Sequence, residues 1–169
     1  MKKRIKPVLL ALLALLAIIQ FFQIAKTNPP HDTSKDFITI QNPPQEVAKL
    51  LQDACYDCHS HLTEFPWYTN VQPLAWWIKD HINDGRRHLN FSTWADLNAK
   101  RKARKAEELV EMVGEEEMPL KSFTWTHPEA RLTNLQRKKM VDWLKTVETK
   151  EKKTVTGLPA MKPAEGVVE

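Results

Sequence analysis

The chain carries two cysteines, and they stand three positions apart: Cys55-Tyr56-Asp57-Cys58, with His59 directly after. No other feature of its 169 residues narrows the possible folds as much. Residues three apart meet on one side of a helical turn. C-x-x-C-H is the spacing of c-type haem attachment. Two thiols so placed can each join one vinyl group of the same porphyrin. The next residue, His59, is then held against the iron as its proximal ligand. A chain with this motif folds around a flat apolar group. With no further cysteine, a disulfide framework is excluded.

Two other chemistries use a C-x-x-C pair. A thiol–disulfide couple comes with a βαβ pattern, which this sequence lacks. A zinc site needs two more ligands from His31, His61, His81, His88 or His127, and none of these forms a close pair such as H-x3-H. Six Trp against four Gly also favour haem. That much indole needs a large apolar partner, either a core or a flat ligand.

Residues 8–25 are apolar apart from Gln20 and Gln23, and they follow Lys2, Lys3, Arg4 and Lys6. As a helix these eighteen residues reach roughly 27 Å, just enough to cross a hydrocarbon core. No small-x-small cleavage site is evident, and no Cys lies near for lipid attachment. The expectation is an uncleaved single-pass anchor over 1–25 that meets the lipid bilayer through residues 8–25. A cleaved signal peptide is the alternative. The positive-inside rule then leaves the rest outside the cytoplasm, as a periplasmic haem domain on the inner membrane. The four basic residues are the whole net charge of +4. From Pro7 onward 21 basic residues balance 21 acidic ones, so charge gives nucleic-acid binding no support.

Residues 26–42 read as a Pro-rich extended linker. Asn42-Pro43-Pro44-Gln45 is a helix start, and Val47, Leu50, Leu51, Ala54 and Cys58 share a face, so the first helix should span 43–58. Pro73 can open a second helix, with Leu74, Ile78, His81, Ile82 and Gly85 on one face. Thr93 and Asp96 resemble a capping box for a third, which Gly114 would end. Its basic first half, 100–105, and acidic second half read as a solvated face. Thr133 and Gln136 cap a fourth, whose Met140, Val141, Leu144 and Val147 align. No alternating stretch argues for a sheet. The fold class is all-α, with a haem-binding domain over 43–149 and a loose tail over 150–169. The first and fourth helices should cross, with the other two and the Trp residues closing round the porphyrin.

The sixth iron ligand has several candidates. Met112 and Met140 lie on helical apolar stripes and read as core, and Met161 lies in the tail. Met118 follows Gly114-Glu115-Glu116-Glu117 and precedes Pro119, so it sits in a stiff loop suited to an axial thioether. His81 and His88 are rivals on the second helix. His61 is too close to His59 to reach the opposite side of the ring, and His127 reads as a loop residue. A vacant sixth position is the remaining option. It would imply a haem-based ligand sensor or a peroxidase-like module.

Cys55-Tyr56-Asp57-Cys58-His59-Ser60, Pro66-Trp67-Tyr68, Trp76-Trp77, His81-Ile82-Asn83-Asp84-Gly85-Arg86, His88-Leu89-Asn90-Phe91-Ser92 and Glu117-Met118-Pro119-Leu120 together resemble the bacterial haem-binding domain family. Its members are small, membrane-anchored, cytochrome c-like proteins of Gram-negative bacteria. The resemblance runs from about Asn28 to Val147, and the string from His81 to Phe91 is its most specific part. It implies a cytochrome c-like helical haem domain behind one N-terminal transmembrane helix. It also implies one haem c on Cys55 and Cys58, His59 as proximal ligand and the Met118 loop as the distal side. The function read from all this is single-electron transfer by a monohaem cytochrome, not an enzyme. Its partners would be membrane redox proteins or periplasmic electron donors and acceptors, together with the cytochrome c maturation machinery.

Overall fold

The computed structural model describes residues 2–157, with side chains from Ile5 onward. The all-α expectation holds: no strand occurs among the described residues. The α-helices are α1 (Lys2–Ile19), α2 (Phe37–Gln41), α3 (Gln45–Leu51), α4 (Asp57–His59), α5 (Leu74–His88), α6 (Ala99–Gly114), α7 (Lys121–Thr124) and α8 (Asn134–Thr156).

The expected membrane anchor is overturned. No helix among the described residues is long and apolar enough to cross a membrane. Helix α1 takes the basic residues into its own first turns and stops at Ile19, six residues short of Ala25. Only twelve apolar residues, from Val8, remain in it, roughly 18 Å against a core of about 30 Å. Gln20 ends it. Its amide donates back to the Leu16 carbonyl at 2.8 Å and pairs with the Gln72 backbone, donating to O at 3.0 Å and accepting from N at 2.9 Å. The bilayer contact through 8–25 and the single-pass inner-membrane placement rested on that anchor and fall with it, and the periplasmic assignment loses the anchor as its support.

Residues 26–42 are not a free linker. Phe37 is fully buried and meets Phe91, Trp94 and Trp143 at centroid distances of 5.0, 4.7 and 5.9 Å. Asp36 caps α2 by accepting from the Ile38 N–H and also accepts from the buried Tyr56 hydroxyl at 2.7 Å. Asn42, expected to start the next helix, instead ends α2 in the left-handed region, at φ 47°.

The main core lies between α3, α6 and α8. Val47, Leu50 and Leu51, Ala106, Leu109 and Val113, and Met140, Leu144 and Val147 are its aliphatic members. Helices α6 and α8 lie along each other as the principal pair, and α3 packs on α8 to a lesser extent. The expected crossing of first and fourth helices is thus present but secondary. The expected cap at Thr93 gives way to a 3-10 turn, Phe91–Asp96, capped by Asn90, because Phe91 and Trp94 are drawn fully inside. The cap of α6 is Asn98, which accepts from the Arg101 N–H at 2.9 Å. The capping box of Thr133 and Gln136 is present on α8. That helix runs past Lys150 to Thr156, because Glu151 is buried and accepts from Gln41 at 2.6 Å while Lys152 reaches Glu107 and Glu148. The rest of the expected tail, 158–169 with Met161, lies outside the described residues.

Candidate functional site

The haem motif sits on a helix that changes pitch. α3 passes without a break into a π-helical turn, Gln52–Tyr56, and then into α4. Turns of this kind are frequent at functional sites. Cys55 lies inside the turn, and Cys58 and His59 lie just beyond it. The motif helix is backed by an aromatic floor: Tyr56 stacks on Phe91, 5.0 Å between centroids and 7° between planes, and His59 meets the same ring edge-on.

Helix α5 lies against α4 at close range. A Cβ at Gly85 would stand 2.6 Å from the Cys58 carbonyl oxygen, so only glycine permits this approach. Arg86 locks the contact. Its Nε donates to Ser60 O at 2.7 Å, and its Nη2 donates to Thr63 Oγ1 and Asn28 Oδ1, both at 2.9 Å.

Between these elements and α6 lies a cavity of about 500 Å³, well inside the range of ligand sites. Cys55, Cys58, His59 and Met118 all line it, and so do the rival residues His81 and His88. The structure thus brings together every residue that the sequence put forward for the cofactor. It does not bring in the Trp residues: none lines this cavity. Trp94 is core, Trp143 packs against the core, and Trp67, Trp76, Trp77 and Trp125 are exposed. His61 holds the loops together, meeting Pro30 O at 2.9 Å and Asn90 at 2.8 Å. Met140 is core, as expected.

The donor set fits a haem. His59 Nδ1 lies 3.0 Å from Leu89 O, and a carbonyl only accepts, so Nδ1 carries the proton. Nε2 is left with its lone pair, and this partner fixes both ring and tautomer. Burial holds His59 below the ordinary imidazole value, in the neutral form a metal needs. Burial pushes the Cys55 thiol up to about 12 and the Cys58 thiol up to about 11. Reactive dithiols depend on a lowered value, so this environment opposes a thiol–disulfide oxidoreductase. Among the described residues no group of three or more His, Cys, Asp and Glu side chains is gathered to hold a metal, so zinc gains nothing either.

Met118 lies in the loop after α6, as expected, and its backbone is clamped. Its N–H donates to Met112 O at 3.0 Å. Arg137 Nη1, from α8, donates both to Met118 O at 3.0 Å and to Val113 O at 2.6 Å. Sequence reasoning missed Arg137, Lys105 and Glu108, and it read Met112 as core, whereas Met112 is exposed and lines the cavity with Lys105 and Glu108. Lys105 pairs with Glu108 and is only 12% exposed, although it sits in a charge run that reads as solvated. One missed signal was legible: Gly85 stands inside a helical pattern, where glycine costs about 1 kcal/mol against alanine.

The description of one protein family, the haem-binding domain, matches residues 14–146 of this chain. No curated protein and no solved structure matches it. A match over most of the sequence, on a fold that gathers two thiols, an oriented imidazole and a thioether around one apolar cavity, makes this chain a member of the haem-binding domain family, with haem as its cofactor.

Proposed function

We propose that the chain carries one haem c, joined through Cys55 and Cys58, and serves as a single-electron carrier with no turnover of its own. The observation that supports this is the placing of both thiols, His59 and the Met118 loop on a single cavity. Attachment is an addition. Each S–H adds across a vinyl C=C, sulfur to one carbon and hydrogen to the other, so no oxidant is consumed. Once bound, haem supplies a one-electron iron couple. His59 offers Nε2 from a ring that Leu89 O holds in place. Met118 offers a thioether, which raises the potential relative to nitrogen or water in that position. Arg137 holds the Met118 backbone. The partners are one-electron donors and acceptors and, for loading, the cytochrome c maturation machinery. Thiols held in the protonated form by burial are slow to add unaided, which fits assisted attachment.

The test is a pair of spectra, oxidised and reduced, of protein made with a cytochrome c maturation system. Haem that stays with the chain through acidified-acetone extraction, a sharp reduced α band and a weak near-infrared charge-transfer band when oxidised are the expected outcome. Extractable haem would overturn the covalent link. Met118→Ala should lower the reduction potential, remove the near-infrared band and open the reduced iron to carbon monoxide, while Met112→Ala should do none of these. A second reading, a ligand sensor or peroxidase-like module with an open sixth position, is favoured by His81 and His88 on the same cavity, where either could act as acid and base. Carbon monoxide binding to the unaltered reduced protein would support it.

A further inference from the structure

A second cavity, of about 270 Å³, shares Cys58, His81, Leu120 and Phe123 with the first. Its remaining walls mix the aromatic rings of Tyr68, Trp77 and Trp125 with the aliphatic side chains of Leu74, Ile78 and Ile82. Trp77 is 46% exposed and Trp125 76% exposed, so two indoles at this cavity are left substantially in water. Neither is needed to close the core, which is complete without them. Exposed apolar surface gathered at a concavity marks a binding site more often than isolated exposed residues do.

The hydrogen-bonding groups narrow the ligand. His81 Nδ1 donates to Trp77 O at 2.8 Å, because the carbonyl can only accept. Nε2 is therefore an acceptor, and no protein donor meets it among the described residues. Tyr68 and Asp57 are already engaged, whereas no partner meets the exposed Glu64 carboxylate or the Ser122 hydroxyl among the described residues. The Tyr68 hydroxyl lies 3.2 Å from both Thr126 Oγ1 and His127 Nε2, and Asp57 Oδ1 accepts from the Glu64 N–H at 2.9 Å. The His127 ring is stacked on Phe123, 3.9 Å between centroids.

Charge narrows it further. The fixed charges at this cavity are the carboxylates of Asp57 and Glu64, and no Lys or Arg lines it. An anion would meet repulsion. An ammonium would shed its hydration against apolar walls, with one Asp57 oxygen already accepting from the Glu64 N–H and the Glu64 carboxylate exposed to screening water. A neutral ring suits the walls. The volume lies just below the usual span of small-molecule pockets, which suits one or two fused rings.

We propose that the second cavity binds a small uncharged aromatic of the phenol class, its ring against Trp77, Phe123 and Trp125 and its hydroxyl donating to His81 Nε2. This assigns His81, which lines both cavities, to recognition in the second. It does not rest on the electron-carrier reading, since the ligand binds whether or not the iron passes electrons.

The test is equilibrium dialysis of the haem-loaded full chain against 2-naphthol and against 2-methoxynaphthalene, which keeps the rings and loses the donor. The unaltered protein should bind 2-naphthol saturably and about five- to tenfold more tightly than the ether, the worth of one hydrogen bond. His81→Phe keeps a ring in place and should erase that preference. Trp125→Ala, at an exposed position, should weaken both probes. The Soret band should not move on binding, since the porphyrin cavity is not entered. No saturable binding, equal affinity for the two probes, a preference that survives His81→Phe, or a Soret shift on binding would each overturn the proposal. The spectrum of the unliganded protein reports the haem reading separately, so failure of one is not mistaken for failure of the other.

Discussion

At Gly85 helix α5 lies directly against the backbone of α4. A methyl group there meets the backbone of Cys58, which cannot move aside like a side-chain tip. Gly85→Ala should cost about 1–3 kcal/mol through overpacking, read from a shifted denaturation midpoint. Tyr56 gives a second prediction. Its buried hydroxyl donates to Asp36, whose other carboxylate oxygen, Oδ2, already has no partner. Tyr56→Phe strips the first oxygen of a donor and should also cost about 1–3 kcal/mol, checked the same way. At this scale the sequence was most legible where chemistry itself sets the spacing: Cys55, Cys58 and His59 stand at the C-x-x-C-H spacing of c-type haem attachment, and all three line one cavity. It was least legible where a partner lies far along the chain. Leu89 O, which orients His59, is thirty residues on, and nothing local marks it. Lys105 was hidden differently, by a run of charges in which one member faces the cavity.

Helix ends follow the same division. The box of Thr133 and Gln136 forms as read, because both of its bonds lie within four residues. Thr133→Ala should cost about 1 kcal/mol, seen as a lower melting temperature with the haem spectrum unchanged. Thr93 failed as a cap because burial of Phe91 and Trp94 bends its turn away from the helix, to φ −121° and ψ 24°. Local patterning cannot weigh that. The π-helical turn under the haem motif was not legible in α-helical spacing: it buries Ala54 and Tyr56, two positions apart, which no single α-helical stripe joins. The loop carrying Met118 was legible from Gly114 and Pro119, but its attachment to α8 was not. Arg137 makes that attachment, so Arg137→Ala should weaken the near-infrared band of the oxidised protein and admit carbon monoxide to the reduced form, with Met118 itself intact. Arg137→Gln, which keeps a donor, should restore part of the band. A purely structural role would lower the melting temperature and leave the spectrum alone.

For the molecule as a whole, the boundary of the domain lies earlier than prolines and polar residues suggest. Phe37 stands in a stretch whose composition reads as linker, yet it occupies the middle of the aromatic core. Composition averages over a window, and one buried ring disappears in that average. A chain beginning at residue 43 should therefore show no cooperative melt, whereas one beginning at residue 26 should keep it. Phe37→Ala should cost about 3–5 kcal/mol. The packing of 26–42 also has a consequence for encounters. A flexible stretch of this length would let its ends wander by roughly 23 Å. Here Asn28, His31 and Lys35 are fastened to Thr63, Ser92 and Asp96, and Trp76 donates to Phe22 O. The bearing of α1 relative to the mouth of the haem cavity is thereby fixed. Residues 26–42 are therefore no swinging arm for the cavity, and any molecule that reaches it has to do the searching and arrive already turned to face that mouth.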